Sequence, residues 1–216
     1  MKRITILSGH YGSGKSEIAV NLALDYKLNY LVDLDIVNPY FRSRSVRELL
    51  TAHGVTLIES TLENVSGSDL PFINAKGSRP FVNRDLTAVY DLGGTKLGAK
   101  VLIQFKDFIS TVDDIDFLVV VNIFRPETQT AEQIIKTIED LEGGAQMRVT
   151  GLINNTNLMN ETEESMILEG EKVLKEVSEH LNIPIKYTFI EEKIHSKLSF
   201  AGEERTLVRH LAKKWL

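Results

Sequence analysis

The chain has 216 residues, 43% hydrophobic and 25% charged, and a formal net charge of −5. That length and balance suit a single globular domain over residues 1–216, and the acidic sign gives no electrostatic reason to expect nucleic-acid binding. With no cysteine the chain has no disulfide, thiolate zinc site or catalytic thiol, and no apolar run reaches the roughly eighteen residues of a membrane span.

Residues 3–7 read as a short apolar strand, which leads straight into Ser8-Gly9-His10-Tyr11-Gly12-Ser13-Gly14-Lys15-Ser16. Ile18, Ala19, Leu22, Ala23 and Tyr26 then recur at helical spacing. Strand, glycine-rich loop and helix in that order make a phosphate-binding loop, with Gly9, four residues, then Gly14-Lys15-Ser16. Gly12 and Gly14 lack a Cβ, so the backbone can turn its N–H groups onto phosphate oxygens. Lys15 supplies a mobile charge for the β- and γ-phosphates, the Ser16 hydroxyl suits Mg²⁺, and the helix N-terminus faces the same anion. Ser13 and Glu17 complete the candidate nucleotide-binding set. An N-terminus that enters a core strand directly leaves no signal peptide, so the expected location is cytoplasmic with no membrane partner.

The alternation continues along the chain. Residues 29–34 read as a strand, 41–53 as a helix, 55–58 and 88–91 as strands, and 116–123 as the strongest strand. Pro126 suits the first position of a helix whose stripe is Ala131, Ile134, Ile135, Ile138 and Leu141, with Gly143-Gly144 as its stop. A strand at 149–154, a helix at 161–181, a strand at 185–190 and a terminal helix carrying Leu207, Leu211 and Trp215 complete the pattern. Repeated strand–helix units predict an α/β fold, a mostly parallel sheet with helices on both faces and ligands beyond the carboxyl ends of the strands. Residues 60–84 break the rhythm with Gly67, Pro71, Gly77 and Pro80, and read as a lid or binding loop.

Turnover of a bound triphosphate needs carboxylates from other strands. Asp91 ends an apolar strand, where it can hold Mg²⁺, and Asp91-Leu92-Gly93-Gly94 has the spacing of a switch whose Gly94 N–H touches the γ-phosphate. Asp33 and Asp35, two apart in extended backbone, point the same way from the strand expected beside the loop. One would order metal-bound water and the other orient the attacking water.

The loop, Asp33-Leu34-Asp35-Ile36, Asp91-Leu92-Gly93-Gly94 and Gly151-Leu152-Ile153-Asn154-Asn155 occur in an order that resembles the P-loop ATPases containing MinD, ParA, the nitrogenase iron protein and the CobB/CobQ-type amidotransferases. Residues 32–42 look like an uncharacterised bacterial branch of that group. The resemblance covers nearly the whole chain and implies a seven- or eight-stranded sheet, Mg-ATP and a nucleotide-dependent homodimer. It also implies that Asp35 acts on the attacking water and that Asn155 contacts the adenine edge. One departure is His10, which stands where dimerising members carry a lysine that reaches the partner's nucleotide. Asn154-Asn155-Thr156-Asn157 offers no carboxylate to pair with guanine's N1–H and N2–H₂, which favours ATP over GTP.

Three activities follow from these residues. The first is a slow ATPase switch with an unidentified protein partner. The second is a phosphotransferase or ligase for a small anionic substrate, gripped by Arg42, Arg44, Arg47, Arg79 and Arg84 beside residues 60–84. The third, a partition module recruited to DNA or membrane, is disfavoured by the acidic balance.

Overall fold

Short aliphatic strands separated by helix-length connections have no hairpin turns to make, and the chain folds accordingly. The computed structural model describes residues 1–35, 44–59, 75–194 and 199–211. Eight strands run through it: β1 (Ile4–Ser8), β2 (Tyr30–Asp33), β3 (Thr56–Glu59), β4 (Ala88–Asp91), β5 (Ile115–Val121), β6 (Gly151–Asn154), β7 (Ile185–Glu191) and β8 (Glu203–Leu207). They form one sheet in the order β3-β2-β4-β1-β5-β6-β7-β8, and every pairing is parallel.

The helices are α1 (Lys15–Asp25), α2 (Arg44–Ala52), α3 (Arg79–Val82), α4 (Lys96–Ala99), α5 (Lys106–Ile109), α6 (Ala131–Ala145) and α7 (Glu164–Leu181). Strand alternation sorts the core into two layers. Leu7, Val89, Leu118 and Val120 face one way and are covered by Ile18, Ala19 and Leu22 of α1 and Leu50 of α2. Ile4, Ile6, Tyr90, Phe117 and Val119 face the other way, under Ile134, Ile138 and Leu141 of α6 and Leu174 and Val177 of α7. All seven residues of β5 are buried, as a central parallel strand requires. The layered α/β sheet is the one expected, with eight strands and no antiparallel member among the described residues. No described helix is long and apolar enough to cross a membrane.

Several elements differ from their sequence reading. The terminal helix is not formed by the residues assigned to it: Leu207 ends edge strand β8 and Leu211 follows in irregular backbone, while Trp215 lies outside the described residues. Pro126 sits in a connecting loop, because Thr130 caps α6 instead. Its side chain accepts from the Gln133 N–H, and Gln133 reaches back to the Thr130 N–H. Gly143-Gly144 do not stop that helix, which continues to Ala145 and ends on Gln146 at φ 53°. Residues 36–43 and 60–74, including most of the proposed lid, lie outside the described residues, and α2 is described from Arg44.

Gly144 serves packing. A Cβ there would overlap the Lys96 carbonyl oxygen and press on Ala99, so the glycine lets α4 lie against α6. At Gly143 the nearest neighbour of such a Cβ is the flexible end of Lys96, 3.7 Å away. Gly144→Ala is therefore expected to cost about 1–3 kcal/mol and lower Tm by roughly 5 °C. Gly143→Ala, which adds only helix propensity, is expected to hold or raise Tm in the same thermal melt.

Candidate phosphate-binding site

Strand register brings the acidic groups together. Asp91 stands level with Leu7 of β1 on one side and with Asp33 of β2 on the other. Asp33 and Asp35 therefore do not come from the strand beside the loop, as expected from sequence: β4 lies between β2 and β1. The reason is topological, since the chain leaves β1 for the far side and fills the adjacent slot later. Strand β2 ends at Asp33, whose Oδ1 accepts the Asp35 N–H at 3.0 Å, and both side chains are buried.

Directly beneath the loop, the Ser16 hydroxyl donates to Asp91 Oδ2 at 2.5 Å. The other Asp91 oxygen, Oδ1, is buried with no hydrogen-bond partner among the described residues. Burial pushes the Asp91 carboxyl up to about 6, held there against the pull of the Lys15 charge and the Ser16 hydroxyl. Burial raises Asp33 further, to about 8, with the Asp91 charge adding to it and the Asp35 N–H opposing it.

The loop is gripped from several strands. Gly14 is the N-cap of α1 at φ 90°, and no side chain caps the helix, so its leading N–H groups face outward as an anion site requires. Asn155, just beyond β6, donates its Nδ2 to the Ser13 carbonyl at 2.8 Å and lies where a Gly14 Cβ would be. Asn155 Oδ1 and Ser13 Oγ are both buried without a partner among the described residues. Gly94 meets Gly9, since a Cβ at Gly94 would overlap the Gly9 carbonyl oxygen. The Asp91-x-x-Gly94 segment thus rests on the loop, and Ser8 Oγ fastens it by donating to the Gly93 carbonyl at 3.0 Å. Lys15 is buried and folds back to the His10 carbonyl at 3.4 Å, while His10 Nδ1 lies 3.7 Å from Glu127.

A cavity of about 250 Å³ opens over the loop. Residues 11–17 form one wall, Asp35 and Arg125 border it, and Asn155, Asn157, Met159, Arg209 and Leu211 form the other end. Arg125 donates its Nε to the Gly12 carbonyl at 3.0 Å. Asn157, Met159, Arg209 and Leu211 were not anticipated. Asn157 belongs to the same amide run as Asn155, a legible signal, but Arg209 and Leu211 were hidden by the helical reading of their segment.

Of the arginines assigned to an acceptor pocket, Arg47, Arg79 and Arg84 are described, and none of them lines this cavity. Arg47 pairs with Glu59 at 2.8 Å. Arg79 and Arg84 are exposed in a segment whose Pro80, Asn83 and Leu86 carbonyls are held by Arg3, at the start of β1 and away from the loop. Arg42 and the Arg44 side chain lie outside what is described.

The hydroxyl–carboxylate pair of Ser16 and Asp91, with one Asp91 oxygen orphaned, fits Mg²⁺ as a hard cation that takes oxygen ligands. Among the described residues no three Asp, Glu or His side chains close into a cage, so a cation here would complete its shell from phosphate and water.

The layered parallel sheet with a glycine-rich loop between β1 and α1 is the fold of the P-loop NTPases. Comparison with solved structures agrees. The signal recognition particle receptor FtsY of Elizabethkingia anophelis matches with a TM-score of 0.53 at 15% identity, over 91% of this chain and 61% of that one. FtsY of Thermotoga maritima matches at 0.50 and 18%, over 88% and 62%. The signal recognition particle 54 kDa protein of Aeropyrum pernix K1, in complex with GDP, matches at 0.50 and 16%, over 86% and 40%. This chain thus spans less than two thirds of each of them, and the likeness is one of fold. No protein-family model and no curated protein matches the sequence.

The raised Asp33 carboxyl gives the metal-free protein a pH dependence. Between about 4 and 8 the folded chain keeps a proton that the unfolded chain has released, so this group's contribution to stability declines as pH rises through that window. In chelator, Asp33→Asn is expected to flatten that decline and to raise Tm at pH 8 by roughly 5 °C, measured by scanning calorimetry from pH 5 to 8.5.

Proposed function

We propose that the chain, as a single domain over residues 1–216, binds Mg-ATP and hydrolyses its β–γ anhydride slowly, as a nucleotide-dependent switch. The observation that carries this reading is the contact between the Ser16 hydroxyl and the buried Asp91 carboxylate beneath an uncapped helix N-terminus. In it, the loop from Gly9 to Ser16 takes the phosphates, Lys15 swings from the His10 carbonyl to the β- and γ-oxygens, and Ser16 and Asp91 hold Mg²⁺. The metal ion, when bound, neutralises charge on the transferring phosphoryl group. Asp35 orients the attacking water, Asp33 fixes Asp35 through its N–H, and Gly94, resting on the loop, senses the γ-phosphate.

For the base, the amide run Asn154 to Asn157 supplies no carboxylate for guanine's paired N1–H and N2–H₂ donors, which supports adenine, and the unpartnered Asn155 Oδ1 can accept from the adenine N6 amino group. The GDP carried by the similar structure from Aeropyrum pernix makes guanine the competing base. The order of motifs supports kinship with the MinD/ParA and CobB/CobQ-type ATPases. Tyr11 and Leu97 stand largely exposed on the loop and on the segment after Gly94, which supports a nucleotide-dependent homodimer or another protein partner on that side. The transferase reading gains no support from Arg47, Arg79 and Arg84, which do not line the cavity.

Calorimetry with ATP and GTP in magnesium tests the assignment. Lys15→Ala is expected to weaken nucleotide binding by roughly 10- to 100-fold. Asp35→Asn is expected to keep binding and lose turnover by about 100-fold or more. Equal turnover in Asp35→Asn and wild type would remove its water-orienting role. Light scattering with a non-hydrolysable analogue is expected to show twice the nucleotide-free mass, and an unchanged mass would count against the homodimer.

A further inference from the structure

Two side chains of α1, one turn apart, hold a segment that follows the last strand. Asn21 is buried and pairs with both backbone groups of Val208: its Nδ2 donates to the carbonyl at 2.8 Å, and its Oδ1 accepts the N–H at 2.8 Å. One turn earlier, the Glu17 carboxylate accepts the N–H of His210 at 2.5 Å and that of Leu211 at 3.2 Å. The segment leaves β8 after Leu207 and is neither strand nor helix, so α1 side chains stand in for the ladder it has left.

That anchoring decides what faces the cavity. Arg209 and Leu211, alternating with the anchored Val208 and His210, form its far end beside Asn157 and Met159. Arg209 is fixed in turn by an ion pair with Glu191 and by Asn157 Oδ1 at 3.3 Å. An apolar Leu211 and Met159, with an amide and a guanidinium whose charge is already paired with Glu191, suit a flat heterocycle with polar edges better than a polyphosphate. Glu17 follows Ser16 directly, and its negative charge beside a phosphate site would repel the ligand unless turned away. It is turned toward two backbone N–H groups.

We infer that Glu17 and Asn21 are positioning residues for the nucleotide's base. They hold residues 208–211 as the wall of the base end and thereby set affinity for base and ribose but not for phosphates. This rests on the cavity being a nucleotide site, and it gives Glu17, a member of the candidate nucleotide-binding set, a role that acts through residues 208–211.

The test compares ATP, GTP and inorganic tripolyphosphate, each with magnesium, titrated calorimetrically into the full chain and into Asn21→Ala, Glu17→Ala and Glu17→Gln. Wild type is expected to prefer one nucleotide over tripolyphosphate. Asn21→Ala and Glu17→Ala are expected to lose roughly 10-fold in affinity for that nucleotide, the worth of about one to two hydrogen bonds, with tripolyphosphate affinity within about twofold of wild type in Asn21→Ala and not reduced in Glu17→Ala, which also removes a negative charge. Glu17→Gln keeps an acceptor and is expected to recover most of the loss. If either alanine variant fails to fold by circular dichroism, the other and Glu17→Gln carry the comparison. A parallel loss of nucleotide and tripolyphosphate, or no loss of either, overturns the inference, as does a wild type that binds all three equally. A wild type that binds none of them overturns the nucleotide site itself, a separate outcome.

Discussion

A carboxylate buried away from the protein surface is the constraint to which the rest of the structure answers. Asp91 is wholly buried between β1 and β2, level with a second buried carboxyl at Asp33. Charge in such a place is costly unless paired. The Ser16 hydroxyl and the Lys15 ammonium pull the Asp91 carboxyl back down from where burial alone would leave it, and both come from the turn that opens α1. A parallel sheet buried on both faces leaves only its strand ends for polar groups, so the loop, the carboxylates and the amide run collect at one edge.

The loop itself is held from several directions. Asn155 grips Ser13, Arg125 grips Gly12, and the Ser8 hydroxyl and Gly94 tie the segment after β4 to the loop's beginning. Each contact uses a backbone carbonyl of the loop or of the segment touching it, so none of them consumes a loop N–H group. Such preorganisation spares a ligand the cost of ordering its own site.

How far the sequence foretold this depends on whether the information is local. Residues 9–16 announce the loop because glycine spacing, lysine and serine act within one turn, and Asp91 follows from its place at a strand end. Strand adjacency is not local: nothing near Asp33 says that β4 will slip between β2 and β1. Strand β8 was misread for a different reason. Its Glu-Glu-Arg-Thr-Leu is the charged composition that protects an exposed edge, and the same residues with Leu211 four places on mimic a helical stripe. Gly144 read as a helix stop because packing against α4 leaves no trace in its own neighbourhood. Arg209 and Leu211 vanished from view together with the misread strand.

The separation of Glu17 from Leu211, 194 positions along the chain, has a consequence for synthesis. Domains assemble from the N-terminal side as they leave the ribosome, and contacts between distant positions form last because long loops must close first. The cradle between β1 and α1 emerges early, whereas the far wall waits until the whole sheet has been laid down and β8 has docked. A nascent chain would thus pass through a stage in which the loop side of the cavity has formed while the side lined by Arg209 and Leu211 has not.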